Sequence, residues 1–278
     1  MKYRQSIPSS GCYNHRRRIN RLFNLRNARS LVRRVLFLKL IVGLIIIGCA
    51  SSPELTKMEP DAAYRYLESQ FNKGKYQAAV DGLNFFTLNY SGSALVDSAQ
   101  FMLAQAHLNL KEYLLAAEAF LELTQRFPRS PLVSEAMFFQ GHCYYKLSPR
   151  YDLDQEYTNR AIEALQTFID FYPDYRVRTT EAERLIALCR DKLAQKDYMA
   201  GMIYFKMKNF MSAAIYFQSV IDKYYDLEWS AKAAFYLGQT LAADERGEDA
   251  KIVYRQFLVK YPDHPWRAKV EIALKKLP

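Results

Sequence analysis

The chain has 278 residues and a formal net charge of +10. Residues 1–48 hold 11 Lys or Arg and no Asp or Glu. Residues 49–278 therefore hold the remaining 28 basic residues and all 29 acidic ones, for a net charge of −1. Charge therefore gives no reason to expect a nucleic-acid partner for residues 49–278, and we expect none.

The first predicted element is a signal peptide within residues 1–48. The aliphatic run Leu40–Ile47 follows two arginines and is too short to span a bilayer, which takes about 20 apolar residues in a helix. A basic flank, a short apolar centre and the letters "IIGC", which end at Cys49, resemble the signal of bacterial lipoproteins. We therefore expect lipid on Cys49 and a lipidated linker over residues 49–59. The alternative is a buried helix that ends at a cysteine by chance.

The basic leader is longer than an ordinary signal peptide, which has about 15–30 residues. An initiator at Val32 would give an ordinary length. We therefore expect that the start of the chain is over-extended.

Five copies of one helical pattern follow the linker. In each copy, large apolar residues stand four and seven places after an alanine, and an aromatic residue stands eleven places after it. These four positions share one face of a helix. The alanines are Ala79, Ala116, Ala161, Ala213 and Ala250, and the aromatics are Tyr90, Phe127, Tyr172, Tyr224 and Tyr261. Because alanine lets a second helix cross closely, each copy is predicted as the second helix of a pair.

An apolar-periodic segment before each copy is predicted as the first helix of its pair: Asp61–Asn72, Ser93–Leu110, Pro131–Leu147, Thr179–Met207 and Trp229–Ala243. Twelve residues before the alanine stands a small residue in three units (Ala104, Gly201 and Gly238), whereas the first unit has Leu67. The insertion "LSPRYDLDQEYT" separates the two helices of the third unit. The first helix of the fourth unit is about two turns longer than the others.

Helix pairs of slightly more than 34 residues with alanine and proline anchors resemble tetratricopeptide repeats. We therefore predict an all-α fold, an α-solenoid of about five tetratricopeptide-like helix pairs with a long helix opening the fourth unit. Residues 60–175 would hold units one to three and residues 176–278 units four and five. The long helix predicts a joint between two sub-arrays.

The order of these features, most closely residues 153–226 beginning "LDQEYTNRAIEALQTF", resembles the BamD family, lipoproteins of the machinery that assembles outer-membrane β-barrel proteins. The resemblance covers residues 49–278. It implies a non-enzymatic scaffold on the periplasmic face of the outer membrane, anchored by lipid such as palmitate. The implied partners are the periplasmic domain of a BamA-like, barrel-forming subunit, the C-terminal signals of unfolded barrel proteins, and outer-membrane lipid.

The repeat geometry places a candidate peptide site on the first helices of units one and two. Their inward positions are predicted to be Tyr64, Glu68, Phe71, Asn72, Phe101, Gln105, Leu108 and Asn109. Amides can bond a peptide backbone or a terminal carboxylate, and the aromatic residues can hold aromatic side chains of a signal. Alternatively, the two asparagines cap their helices and the aromatics pack between units.

For docking on the barrel-forming subunit, the resemblance points to "CRDKLAQK", where Arg190 and Lys192 could pair with acidic groups. A lysine lacks the bidentate fork of arginine, so the two residues are not equivalent in this role. Alternatively, both lie on an ordinary solvated helix face.

The mature chain carries no recognisable catalytic motif. Its histidines are His107, His142 and His264, and it has no phosphate-binding loop, nucleophile elbow or zinc-protease motif. We expect no enzyme activity, no cofactor and no metal. We expect Cys143 and Cys189 to be buried thiols, with a disulfide between them as the alternative.

The alternative function is that of another tetratricopeptide lipoprotein, either a pilotin-like protein for secretin and pilus assembly or a scaffold for cell-wall growth. Co-purification separates these functions, because a BamD-like protein brings down the barrel-forming subunit and a pilotin-like one a secretin. A more remote alternative is a soluble chaperone adaptor, for which Lys73 is the only basic neighbour of the two asparagines.

Overall fold

The computed structural model describes residues 55–278, so the predicted signal peptide and the lipid site at Cys49 lie outside the described residues. Within this range every regular element is a helix, which confirms the all-α fold. A short 3₁₀ helix at Leu55–Lys57 precedes the α-helices. These are α1 (Pro60–Asn72), α2 (Tyr76–Asn89), α3 (Val96–Asn109), α4 (Tyr113–Arg126), α5 (Val133–Leu147), α6 (Glu156–Phe171), α7 (Arg176–Lys206), α8 (Phe210–Lys223), α9 (Glu228–Ala243), α10 (Gly247–Lys260) and α11 (Arg267–Lys275).

Ten of these helices form five pairs that stack in chain order, from α1/α2 to α9/α10. The predicted solenoid of helix pairs is therefore confirmed. α11 packs against the last pair as an additional first helix, which the sequence pattern did not predict. Lys57–Pro278 form one compact unit. The division into residues 60–175 and 176–278 stays a prediction, and its boundary coincides with the start of α7.

The repeated positions of the sequence form the contact between the two helices of each pair. All five anchor alanines are fully buried, and the apolar residues four and seven places later are at most 1 % exposed. The backbone N–H of the aromatic residue donates to the carbonyl four residues earlier, at 2.8–3.0 Å in all five units. This bond closes the last helical turn, so the aromatic position ends each second helix as predicted.

Three units bring their two helices together at a glycine of the first helix. A Cβ added at these glycines would approach the facing side chain to 2.3–2.8 Å: Gly238 to Tyr254, Gly201 to Phe217 and Gly141 to Leu165. The facing residue is always the one four places after the anchor alanine. Gly141 was not predicted, because the insertion of the third unit moves it out of the regular spacing.

The long helix α7 and the inserted loop of the third unit contact each other. α7 has 31 residues, about twice the 16 of the next longest helices. The inserted loop at residues 148–155 separates α5 from α6. Lys192 Nζ donates to the carbonyl and hydroxyl oxygens of Ser148 at 3.2 and 2.5 Å, and Lys196 Nζ donates to the carbonyl of Leu153 at 2.7 Å. The middle of α7 therefore holds the insertion of the preceding unit.

Arg178, near the start of α7, ties the third unit to the fourth. Its guanidinium donates to both carboxylate oxygens of Glu135 at 3.1 and 2.8 Å. It also lies over the rings of Phe138 and Phe139, 4.7 and 4.9 Å from their centroids. Tyr175 donates its hydroxyl to the same carboxylate. A bidentate, partly desolvated ion pair of this kind holds its geometry better than an exposed one.

Candidate functional site

The first helices of neighbouring units contact each other and form one wall of the solenoid, here called the first-helix wall (α1, α3, α5, α7 and α9). In α1, the half-buried rings of Tyr64 and Phe71 pack edge-to-face on aromatic rings of α2, with centroids 6.0 and 5.3 Å apart. Glu68 and Asn72 are exposed. Unit one thus offers an acid and an amide to solvent beside rings that are already partly used in packing.

In α3, two of the four candidate residues have partners of their own. Phe101 packs on rings of α4 and α5, with centroids 5.5 and 6.5 Å away. Asn109 Nδ2 donates to the carbonyl of Gln105 at 2.8 Å, within the same helix. Gln105 and Leu108 are half-buried. Packing and capping therefore account for Phe101 and Asn109, in line with the alternative interpretation, and peptide binding at these residues stays a prediction.

The electrostatics of this end of the wall involve Asp97, which the sequence pattern did not single out. Burial raises the pKa of Tyr64, and the carboxylates of Glu68 and Asp97 raise it further. Asp97 also accepts the hydroxyl of Ser130 at 2.6 Å, which links the starts of α3 and α5. Acidic residues at the first turn of a helix suit its dipole, which is the signal that could have identified Asp97. The immediate surroundings of Tyr64 are therefore acidic.

The structure gives both predicted docking residues partners within the chain. Arg190 donates to the carboxylate of Asp226 through both terminal nitrogens, at 2.7 and 2.6 Å, and this bond raises the pKa of Arg190 and lowers that of Asp226. Lys192 is bound to the inserted loop, and burial lowers its pKa. Neither residue is a free charge on a solvated helix face. Their role in docking stays a prediction.

The described residues contain no group of three His, Cys, Asp or Glu side chains placed to hold a metal ion. His142 beside Cys143 is an isolated histidine whose Nδ1 is buried without a partner, and burial lowers its pKa. Cys143 and Cys189 are buried free thiols, so the disulfide alternative does not apply. None of the helices between residues 55 and 278 is long and apolar enough to cross a membrane.

A family model described as an outer membrane lipoprotein, YfiO, matches residues 56–243, and a tetratricopeptide repeat model matches residues 232–264. The outer membrane protein assembly factor BamD of Rickettsia prowazekii is 24 % identical over 229 residues, 82 % of this chain and 91 % of the relative. BamD of Caulobacter vibrioides is 25 % identical over 219 residues, 76 % and 70 % of the two chains. The TPR2AB-domain:pHSP90 complex of yeast Sti1 is 16 % identical, with 78 % and 84 % of the chains covered and a TM-score of 0.39.

Proposed function

Because the chain belongs to the YfiO family of outer membrane lipoproteins, we propose that it is a non-enzymatic scaffold in the assembly of outer-membrane β-barrel proteins. The observation that carries this proposal is the family match itself, since residues 56–243 include the inserted loop and all of α7. Relatives named as outer membrane protein assembly factors support the assembly role. Lipid on Cys49 would hold the scaffold on the periplasmic face of the membrane.

The proposed site for the C-terminal signals of unfolded barrel proteins is the first-helix wall of units one and two. Exposed Glu68, Asn72 and Asn109 support it, because they offer hydrogen-bonding groups on neighbouring first helices. The half-buried rings of Tyr64 and Phe71 can pack against aromatic side chains of a signal. Since the carboxylates of Glu68 and Asp97 lie near Tyr64, backbone amides of the peptide suit this place better than a terminal carboxylate.

The proposed docking surface for the barrel-forming, BamA-like subunit lies on α7 around Arg190 and Lys192. The side chain of Arg190 is 31 % exposed, and its bonds to Asp226 use only the two terminal nitrogens, so Nε–H can donate to a further acidic group. Lys192 would act through the inserted loop, because its ammonium positions that loop against α7.

The peptide site is tested by Asn72→Ala combined with Asn109→Ala. Loss of two amide contacts should weaken binding of a labelled peptide that carries the C-terminal residues of a barrel protein by about 1–3 kcal/mol. Asn89→Ala is the matched control: Asn89 Nδ2 donates to the carbonyl of Phe85 at 2.8 Å, the same local bond that Asn109 makes, but on a second helix. Equal weakening by the control would remove the peptide site from the proposal.

Docking is tested by Arg190→Met, measured as binding to the purified periplasmic domain of the barrel-forming subunit. We expect a salt-dependent loss of affinity with unchanged helical circular dichroism. Asp226→Asn is the control, because it removes the negative charge of the internal partner but leaves the guanidinium available to pair with an external acid. If Asp226→Asn weakened docking as much, the Arg190–Asp226 pair would affect docking by stabilising the local structure and not by direct contact with the partner.

If the native protein brought down a secretin instead of the barrel-forming subunit, the pilotin-like alternative would replace the proposal.

A further inference from the structure

The two tryptophans of the chain occupy equivalent places at the start of α9 and just before α11. They open a repeated motif, "WSAK" at residues 229–232 and "WRAK" at residues 266–269, with the tryptophans 37 residues apart. In both copies the lysine ammonium lies over the indole: Nζ is 4.7 Å from the ring centroid for Lys232 and 4.8 Å for Lys269. The same lysine–tryptophan contact therefore occurs at the same position of two successive repeats.

A continuous set of aromatic rings joins the two motifs. The centroid of Trp229 lies 5.3 Å from that of Tyr198, Tyr198 lies 6.0 Å from Tyr236, and Tyr236 lies 6.2 Å from Trp266. Tyr198 is buried, whereas the other three rings are partly open to solvent. The surface that results, here called the Trp/Lys strip, consists of Trp229, Lys232, Tyr236, Trp266 and Lys269.

The two ammonium groups of the Trp/Lys strip are incompletely neutralised by the fold. Within residues 55–278, Lys269 is exposed and makes no ion pair, and its neighbours are aromatic rings. Lys232 lies 3.7 Å from Glu228, a carboxylate that also meets His264 Nε2 at 3.1 Å. The carboxylate of Asp191 accepts the indole N–H of Trp229 at 2.8 Å. Both lysines therefore retain positive charge for an external partner.

The position of Lys232 carries no positive charge in the earlier units. Lys232 stands six residues before Gly238, the residue of α9 that contacts the second helix. The equivalent position in units one to four is occupied by Asp61, Ser98, Glu135 and Gln195. This position is thus acidic or neutral in units one to four and becomes positive at Lys232 of α9 and Lys269 of α11. Charge complementarity therefore favours an acidic ligand at these two lysines.

We propose that the Trp/Lys strip binds an extended, acidic segment of a partner protein. Carboxylates pair with the open side of each ammonium group, and the aliphatic parts of the segment lie on the indole rings. A lysine stacked on an indole is already restricted, so it loses less conformational freedom on binding than a solvated one. Tryptophan is also enriched at the centres of protein interfaces. The strip shares no residue with the two sites of the proposed function and does not depend on them.

The tryptophans report on the strip directly, since the chain has no others. A short, unstructured peptide of alternating Glu and Ser residues, labelled with a dye, is titrated into the protein while tryptophan emission and dye anisotropy are recorded. We expect a saturable change in both signals that weakens with added salt. The same peptide with Gln in place of Glu should not bind. Trp229→Phe and Trp266→Phe assign the emission change to each motif.

Lys232→Met combined with Lys269→Met should weaken binding roughly fivefold or more, because two carboxylate contacts are lost. Lys232→Arg with Lys269→Arg should retain it, since arginine also stacks on indole and pairs with carboxylates. The matched control is Lys206→Met with Lys208→Met, which removes the same charge from exposed lysines at the α7–α8 turn and should leave affinity within about twofold.

Three results would overturn the proposal: equal weakening by the control, equal binding of the Gln peptide, or no binding of the Glu peptide. A fourth result would also overturn it. If vesicles containing phosphatidylglycerol changed tryptophan emission in a lysine-dependent way and the Glu peptide did not, the ligand would be a membrane surface. Circular dichroism of every variant should match that of the parent, and the arginine variant separates loss of charge from loss of packing.

Discussion

Replacing Gly238 by alanine tests the close contact on which the helix pairs depend. The added Cβ would lie 2.3, 2.6 and 2.8 Å from three ring atoms of Tyr254, a residue that is 1 % exposed. Real Cβ contacts are not this short, so the ring must move within a packed core. Such overpacking costs about 1–3 kcal/mol. The gain in helix preference over glycine, about 1 kcal/mol, opposes this cost.

Gly247→Ala is the matched control, because Gly247 begins α10 and a Cβ there would meet nothing within 4 Å. It gains at most the same helix preference and displaces no ring, so a lower stability of Gly238→Ala than of Gly247→Ala reports the cost at Tyr254. Both are unfolded in urea and followed by tryptophan emission, since Trp229 and Trp266 lie in the same part of the solenoid as Gly238. Unfolding midpoints that coincide for the two variants would refute the close-contact argument.

Two further predictions concern cysteines. Burial raises the pKa of the Cys143 thiol to about 12 and that of Cys189 to about 11, so both stay protonated at pH 8 and should resist iodoacetamide until urea unfolds the chain; rapid labelling of Cys143 or Cys189 in the folded protein would contradict this. Cys49→Ser should leave an unprocessed precursor that takes up no palmitate and leaves the outer-membrane fraction. Palmitate labelling unchanged in this variant would remove Cys49 as the lipid site.

Much of the fold was predictable because its contacts are local and periodic. The anchor alanines and their partners recur at fixed spacings, and a helical face is readable from spacing alone. The spacing did not predict the contact at Gly141, because the insertion places this residue 20 positions before Ala161 instead of twelve. The pattern did not predict α11 either, because no second helix follows it to complete a pair.

The candidate site was less predictable because side-chain partners lie far apart in the chain. The partner of Arg190 is Asp226, 36 residues away, and that of Lys192 is Ser148, 44 residues away. Nothing in the local pattern around either residue indicates these bonds. The W-x-x-K motifs were visible in the sequence, but only the ring distances show that they form one surface.

α7 is one uninterrupted rod with a separate attachment along each part of its length. Its first turns contact Glu135 through Arg178, its middle holds the inserted loop, and its last turns pair with α8. At about 1.5 Å per residue its 31 residues span about 46 Å, so a tilt of about 5° about its middle moves each end by about 2 Å. A long α-helix without a kink curves only gently. A shift of one of these three attachments is therefore passed along α7 to the other two.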